Sequence, residues 1–138
     1  MSLYTREIGG IELRQLAREF GTPLYVYDQA MIERRVAEMK DFGTLRFAVK
    51  ALPNIAILSL MRRLGVLVDC VSEGEIVRAF AAGFRADTNP PEIVYTCDIF
   101  DSSSLEFVIA NRVAVNAGSI DMIHQYGPRA SRPAITLR

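Results

Sequence analysis

Apolar and polar positions along this chain fall into two regimes that change over near residue 43. Beyond that point short continuous apolar runs, Val66-Leu67-Val68, Ile93-Val94-Tyr95 and Val113-Ala114-Val115, alternate with segments whose apolar residues recur at helical spacing. Runs of the first kind suit strands covered on both faces, and segments of the second kind suit helices that lie against them. The pattern predicts a strand over 45–50 and a helix over 54–64, with Pro53 as a favourable first helical residue and Gly65 as the stop. A strand over 66–69 leads into Ser72-Glu73-Gly74-Glu75, a capping box opening a helix with Ile76, Val77 and Phe80 inward and Gly83 beyond it. After a loop over 85–91 come a strand at 93–96 and a second box, Ser103-Ser104-Leu105-Glu106, opening a helix with Val108 and Ile109 inward. A strand at 113–116 follows, and Ser119 caps a last helix that has Asp121 in its first turn and ends at Gly127-Pro128. Residues 133–138 read as the start of a fifth strand.

The first 43 residues are less regular. They predict a helix over 11–20 with Leu13, Leu16, Ala17 and Phe20 on one face, stopped by Gly21 and Pro23. Leu24-Tyr25-Val26-Tyr27 reads as a short strand, and Asp28 caps a helix with Met31, Ile32, Val36 and Met39 inward, ending at Gly43. The expected organisation is therefore an N-terminal segment, 1–43, and a body of repeats, 44–138.

Strand–helix alternation with short connections specifies an α/β fold of parallel βα units with right-handed crossovers. It fits an open doubly wound sheet and a barrel alike. No G-x-G-x-x-G and no P-loop follows any strand, so a nucleotide-binding sheet loses its best support. The expectation is a TIM-type (βα)8 barrel, of which four to five strands make about half.

Composition narrows the partners. Sixteen basic and sixteen acidic residues cancel, and the pI is near 6.6, so no basic surface for nucleic acid is expected. The longest uncharged apolar run, 51–61, is too short to span a bilayer, and no charged and apolar leader opens the chain, which gives a cytoplasmic expectation. Cys70 and Cys97 have no metal-ligand spacing and read as reduced, buried thiols; His124 reads as a surface or packing residue of the last helix.

Only two of the sixteen basic residues are lysines, Lys40 and Lys50. Lys50 ends the run Leu45-Arg46-Phe47-Ala48-Val49-Lys50, where a buried ammonium is costly unless something pairs or uses it. Arginine stays charged, whereas a desolvated lysine can lose its proton and attack a carbonyl. A lysine that snorkels out of a strand end to meet a carboxylate is the plainer reading. Chemistry in parallel α/β folds gathers at the carboxyl ends of strands, here Lys50, Asp69, Thr96 and Asn116. Lys50 and Asp69 are nineteen residues apart, one βα unit, which places them on neighbouring strands at one end of the sheet either as a reactive amine beside a carboxylate or as a structural pair.

Phe47-Ala48-Val49-Lys50-Ala51, with Asn54 after it, resembles the lysine motif of the alanine-racemase-like (fold-type III) pyridoxal-phosphate decarboxylases. Val68-Asp69-Cys70-Val71-Ser72-Glu73-Gly74-Glu75, Ile93-Val94-Tyr95-Thr96, Val115-Asn116-Ala117-Gly118-Ser119 and Thr22-Pro23-Leu24-Tyr25-Val26-Tyr27-Asp28 extend the resemblance to nearly the whole chain. It implies an amino-acid decarboxylase using pyridoxal 5'-phosphate, with a barrel, a separate C-terminal β domain and a homodimeric assembly. Lys50 would hold the cofactor aldehyde, and Ala48 and Asp69 would lie along the ring or near the lysine. Glu75 would stand behind the residues that meet the cofactor, although its capping role is a sufficient explanation, and Ser72 reads as an N-cap rather than a ligand. Residues 24–27 would pair into the β domain, and 28–42 would bridge the two. Leu52 stands where the family often has asparagine. The family's phosphate-binding glycine loop, its histidine over the ring and its acid at the ring nitrogen have no counterpart in these residues, so the 138-residue chain is expected to be inactive alone. A module that binds the cofactor or pairs with a longer decarboxylase is the alternative, and self-association through bare strand edges is expected.

Overall fold

The computed structural model describes residues 6–131 and 135–138. They divide into two compact units, Met1–Phe42 and Gly43–Arg138.

The first unit opens on a hairpin. Strands β1 (Glu7–Ile8) and β2 (Ile11–Glu12) pair antiparallel, Ile8 opposite Ile11, around Gly9 and Gly10. Both glycines have positive φ (58° and 77°), the backbone of a two-residue turn that glycine adopts without penalty. The predicted 11–20 helix therefore begins later, as α1 (Leu13–Phe20), because Ile11 and Glu12 are taken by the hairpin. Its expected inward face is not buried, and Phe20 is 64% exposed. Leu24–Tyr27 has no regular secondary structure and joins no ladder among the described residues, so the strand expected there does not form within this sheet set. Asp28 caps α2 (Gln29–Ala37) as expected, accepting from the Met31 amide at 3.2 Å. That helix ends six residues before Gly43, with a 3-10 turn at Lys40–Phe42 between.

The second unit holds the core. Strands β3 (Arg46–Ala48), β4 (Leu67–Cys70), β5 (Ile93–Cys97), β6 (Ala114–Ala117) and β7 (Ile135–Leu137) form one parallel sheet in the order of the chain. A doubly wound sheet reverses direction partway; this one never does. With right-handed crossovers, an unreversed order puts every connecting helix on the same side, which is the winding of a barrel. Burial agrees. On one face Val68, Cys70, Ile93, Tyr95, Val115 and Ala117 are at most 3% exposed, while Leu67, Asp69, Val94, Ala114 and Asn116 on the other are only half-buried. Of the fifth predicted strand, Pro133 and Ala134 lie outside the described residues.

The helices are α3 (Ile55–Arg63), α4 (Glu73–Ala81), α5 (Ser102–Ala110) and α6 (Ile120–Tyr126). Leu58, Ile76, Val108 and Met122 are fully buried against the sheet, each contributing about 1.5–3 kcal/mol of apolar transfer. In α4 the residue after Ile76 on the inward face is Ala79, and Val77, expected inside, is 48% exposed. Gly65, at φ 77°, turns the chain out of α3 into β4. Among the described residues no helix is long and apolar enough to cross a membrane.

Caps decide where these helices begin. Asn54, not Pro53, starts α3: its Oδ1 accepts from the Ala56 and Ile57 amides at 3.0 and 3.3 Å, leaving Pro53 outside the helix. Ser72 caps α4 through the Glu75 amide at 3.3 Å, but Glu75 reaches past Ser72 to accept from Val71 at 2.9 Å. The second predicted box is displaced. Asp101 caps α5, accepting from the Ser104 amide at 2.7 Å and the Ser103 hydroxyl at 2.9 Å, because a carboxylate two residues upstream outcompetes the serine. Ser119 caps α6 as expected.

Candidate functional site

The sheet register collects the polar residues of the half-buried face into two levels. Ala48, Asp69, Val94 and Ala114 follow one another across β3 to β6. One step toward the carboxyl ends, Thr96, Asn116 and Thr136 follow one another across β5 to β7. Three neighbouring strands thus present hydroxyl, amide and hydroxyl at a single height, just above the level of Asp69.

Lys50 stands at the same end but not in the strand. The chain leaves β3 after Ala48 and makes a 3-10 turn, Val49–Ala51, closed by the Leu52 amide donating to the Val49 carbonyl at 3.0 Å. Val49 takes the buried position, with none of its surface exposed, and Lys50 is left exposed. The buried strand-end ammonium expected from the sequence is therefore an exposed one, because the turn assigns burial to Val49. Ala48, half-buried, is the last strand residue and the register partner of Asp69. Lys50 thus lies two residues beyond the partner of Asp69, on the same rim, and the two form no ion pair.

Among the described residues, two acceptors on this face have no partner. The Asn116 carboxamide donates from Nδ2 to Thr96 Oγ1 at 3.2 Å, and its Oδ1 is buried without a hydrogen bond. Asp69 Oδ1 is buried and equally unsatisfied. Buried acceptors left bare are rare and costly, about 1–3 kcal/mol each, unless a donor reaches them. Both residues border an open concavity of about 430 Å³ on the half-buried face, with Arg46, Val94, Thr96 and Thr136.

Arg46 is the cation of that concavity. Its guanidinium donates to the Val68 carbonyl at 3.2 Å and the Pro91 carbonyl at 2.9 Å, bridging β3 to β4 and to the approach to β5. Partial burial lowers its affinity for the proton, and the negative charge of Asp69 works against that. Sequence reasoning gave Arg46 no role. The signal was there in the parity: Arg46, Ala48 and, through the register, Asp69 share one face.

At the rim the turns after β5 and β6 interlock. The Gly118 amide donates to the Cys97 carbonyl at 3.0 Å, and the Ser119 hydroxyl donates to the Asp98 carbonyl at 2.7 Å. A Cβ on Gly118 would run into Asp98 Oδ1 and stand 2.8 Å from the Cys97 carbonyl, so any larger residue forces a shift there. The two cysteines differ. Cys70 is fully buried, and burial, helped by Glu75 and Asp69, pushes its thiol up to about 12. Cys97, expected to be buried, is half-exposed, and its thiol meets the Ile99 carbonyl at 2.9 Å. His124 is exposed on α6.

The chain matches the family model for the pyridoxal-binding domain of pyridoxal-dependent decarboxylases over residues 29–138. It is 48% identical over 126 residues to the diaminopimelate decarboxylase of Escherichia coli K12, covering 91% of this chain and 30% of that protein. To the diaminopimelate decarboxylase of Streptomyces coelicolor it is 43% identical over 131 residues, 95% of this chain and 30% of the other. Among solved structures, a diaminopimelate decarboxylase at 47% identity superposes with a TM-score of 0.84 over 93% of this chain and 31% of that one. The Helicobacter pylori enzyme complexed with L-lysine, 27% identical, superposes at 0.79 over 91% of this chain and 33% of that one. The chain spans about 30% of the length of the curated relatives it matches.

Proposed function

The chain belongs to the pyridoxal-dependent decarboxylase family, and from that membership we propose that it serves the reaction its relatives are named for, the loss of one carboxyl group of meso-diaminopimelate as carbon dioxide to give L-lysine. The observation that carries the reading is the position of Lys50. One of only two lysines in the chain, it stands exposed on the carboxyl rim, two residues past Ala48, whose partner across the ladder is Asp69. The 48% identity to a diaminopimelate decarboxylase supports the substrate, and the resemblance to fold-type III enzymes supports a cytoplasmic homodimer in which residues 1–43 and 44–138 are separate parts.

The residues present fit pyridoxal phosphate. An exposed amine is open to an aldehyde, and Asp69 and Asn116 of the same sheet carry oxygens that have no hydrogen-bond partner among the described residues. Lys50 would hold the aldehyde carbon, Ala48 would leave room along the ring because it carries only a methyl group, and Asp69 would accept from a nearby donor. The cofactor supplies a conjugated ring that accepts the electrons left behind when the carboxylate departs. The chain's own residues supply the surroundings. Asp69 places a carboxyl group at the level of Ala48, below Lys50. Thr96 locks the Asn116 amide so that its oxygen stays an acceptor. The joined turns around Gly118 hold the rim of β5 and β6 in register.

Two lysines make the test internal. The chain is incubated with pyridoxal phosphate, fixed with borohydride and mapped by peptide mass spectrometry, with exposed Lys40 as the reference amine. Lys50 is expected to be labelled at lower cofactor concentration than Lys40. Equal labelling of the two lysines overturns the assignment of Lys50.

A further inference from the structure

Arg46 and Asp69 face one concavity, carry opposite charges, and yet do not form an ion pair. An arginine beside a carboxylate ordinarily takes both oxygens in a bidentate pair. Here the guanidinium is spent elsewhere. Nη1 is held by the carbonyl of Val68, the residue just before Asp69, and Nη2 by the carbonyl of Pro91. Arg46 sits one ladder step below Asp69 on the same face, since its own register partner is Leu67. The result is a carboxylate with a cation close enough to act through space and with Oδ1 still bare.

We infer that Arg46 is a positioning residue for the rim above it: pinned by two backbone carbonyls, it offsets the charge of Asp69 without consuming the oxygen that Asp69 offers to a donor at Lys50. The inference rests on the reading of Lys50 and Asp69 as the pair that faces the cofactor. Its physical logic is a balance between two failures. A carboxylate on that rim with no cation near it would repel an anionic cofactor. A direct Arg46–Asp69 pair would remove the acceptor. A guanidinium anchored to carbonyls avoids both. Arginine suits this use better than lysine, because its planar head can reach two carbonyls on different strands and cannot give up its proton.

The test is a double-mutant cycle on the full chain, read by borohydride-fixed pyridoxal labelling of Lys50 relative to Lys40. Arg46→Gln keeps a hydrogen-bond donor but removes the charge, and Arg46→Met removes both. Both variants are expected to slow Lys50 labelling about tenfold, a size usual for coupled neighbours, with no change at Lys40. In the Asp69→Asn background, where no charge remains to be offset, adding either Arg46 substitution is expected to change the rate less than twofold, by the same accounting. Urea unfolding of each variant separates the backbone bridge from the charge: Arg46→Met loses stability in both backgrounds, whatever happens to labelling. Equal slowing in both backgrounds overturns the inference and assigns Arg46 a role independent of Asp69. If Asp69→Asn alone leaves Lys50 labelling unchanged, the reading of Asp69 falls first and the inference falls with it.

Discussion

Asn116 and Thr96 are register partners on β6 and β5, and the Asn116 amide donates to the Thr96 hydroxyl at 3.2 Å. Thr96 is 5% exposed, so its oxygen has little access to water. The bond also determines which end of the carboxamide faces the concavity, because the nitrogen is committed and the oxygen is not. Thr96→Val keeps the shape and removes the acceptor, leaving Nδ2 unsatisfied beside an already unsatisfied Oδ1. It is expected to cost about 1–3 kcal/mol, read as a lower urea midpoint. Thr96→Val combined with Asn116→Leu should cost less than the two single changes summed, since apolar replacement of both partners removes the unmet hydrogen bond. Additive costs would show that the two side chains act separately.

Gly118 is the second place where one atom decides. Its φ is ordinary, so the constraint is space and not backbone conformation. Gly118→Ala would press a methyl group onto Asp98 Oδ1 and to 2.8 Å from the Cys97 carbonyl. The carboxylate can swing away, but the carbonyl belongs to β5 and cannot. The expected cost is about 1–3 kcal/mol, in the range of overpacked sites. Adding Asp98→Ala should recover part of the loss and not all of it, by removing the movable obstacle and leaving the fixed one. Differential scanning calorimetry of the three chains measures both steps, and full recovery in the double variant would mean that the backbone contact is harmless.

How far the sequence could be read follows from the same kind of particulars. The βα rhythm of the second unit was legible because each strand is a continuous apolar run and each helix carries a strong stop or cap, as at Gly65, Ser72 and Ser119. Barrel against doubly wound sheet was legible only indirectly, from the missing G-x-G-x-x-G and the family resemblance, because that choice is made by strand order, which the unreversed β3-to-β7 sequence supplies. Helix starts slipped wherever two cap residues compete, with Asn54 displacing Pro53 and Asp101 displacing Ser103. The Gly9-Gly10 hairpin had a local signal, two glycines between Ile8 and Ile11, that the helical spacing from Leu13 onward obscured. Lys50 was found at the correct strand end, but its exposure was misjudged, because burial depends on the turn that hands the inward position to Val49. Arg46 became visible only when the register placed it beneath Asp69.

Acid should weaken the start of α5. The Asp101 carboxyl is held below its ordinary value of 3.8, first by the Ser104 amide and then by the Ser103 and Ser104 hydroxyls. A carboxyl depressed in the folded state stabilises it above the unfolded value, and that contribution is lost as the pH falls through the folded one. The stability gap between the native chain and Asp101→Ala is therefore expected to be constant at neutral pH and to close below about pH 3.8. Asp101→Asn keeps an acceptor but cannot titrate, so its gap to Asp101→Ala should persist into acid. Urea midpoints followed against pH decide the matter, and a gap for the native chain that ignores acid would remove Asp101 as the charged cap.

Alkali should act on the core through two groups on the helix-covered face. Burial raises Cys70 from 9.0 to about 12, and burial, joined by hydrogen bonding to Cys97, raises Tyr95 from 10.0 to about 12. Both keep their protons in the folded state at a pH where the unfolded chain has released them. The unfolded chain then binds fewer protons, so stability falls with rising pH, beginning near 9.0 and continuing toward 12. Cys70→Ala loses packing at neutral pH but removes one of the two titrating groups, so its stability should decline less steeply over that window and approach the native curve. Thiol chemistry gives an independent reading of the same burial. With the folded chain at mildly alkaline pH, iodoacetamide should modify half-exposed Cys97 well before Cys70, as peptide mapping would show. Comparable alkylation of both cysteines in the native state would mean that the β4–α4 interface opens far more readily than its buried residues Cys70, Ile76 and Ala79 imply.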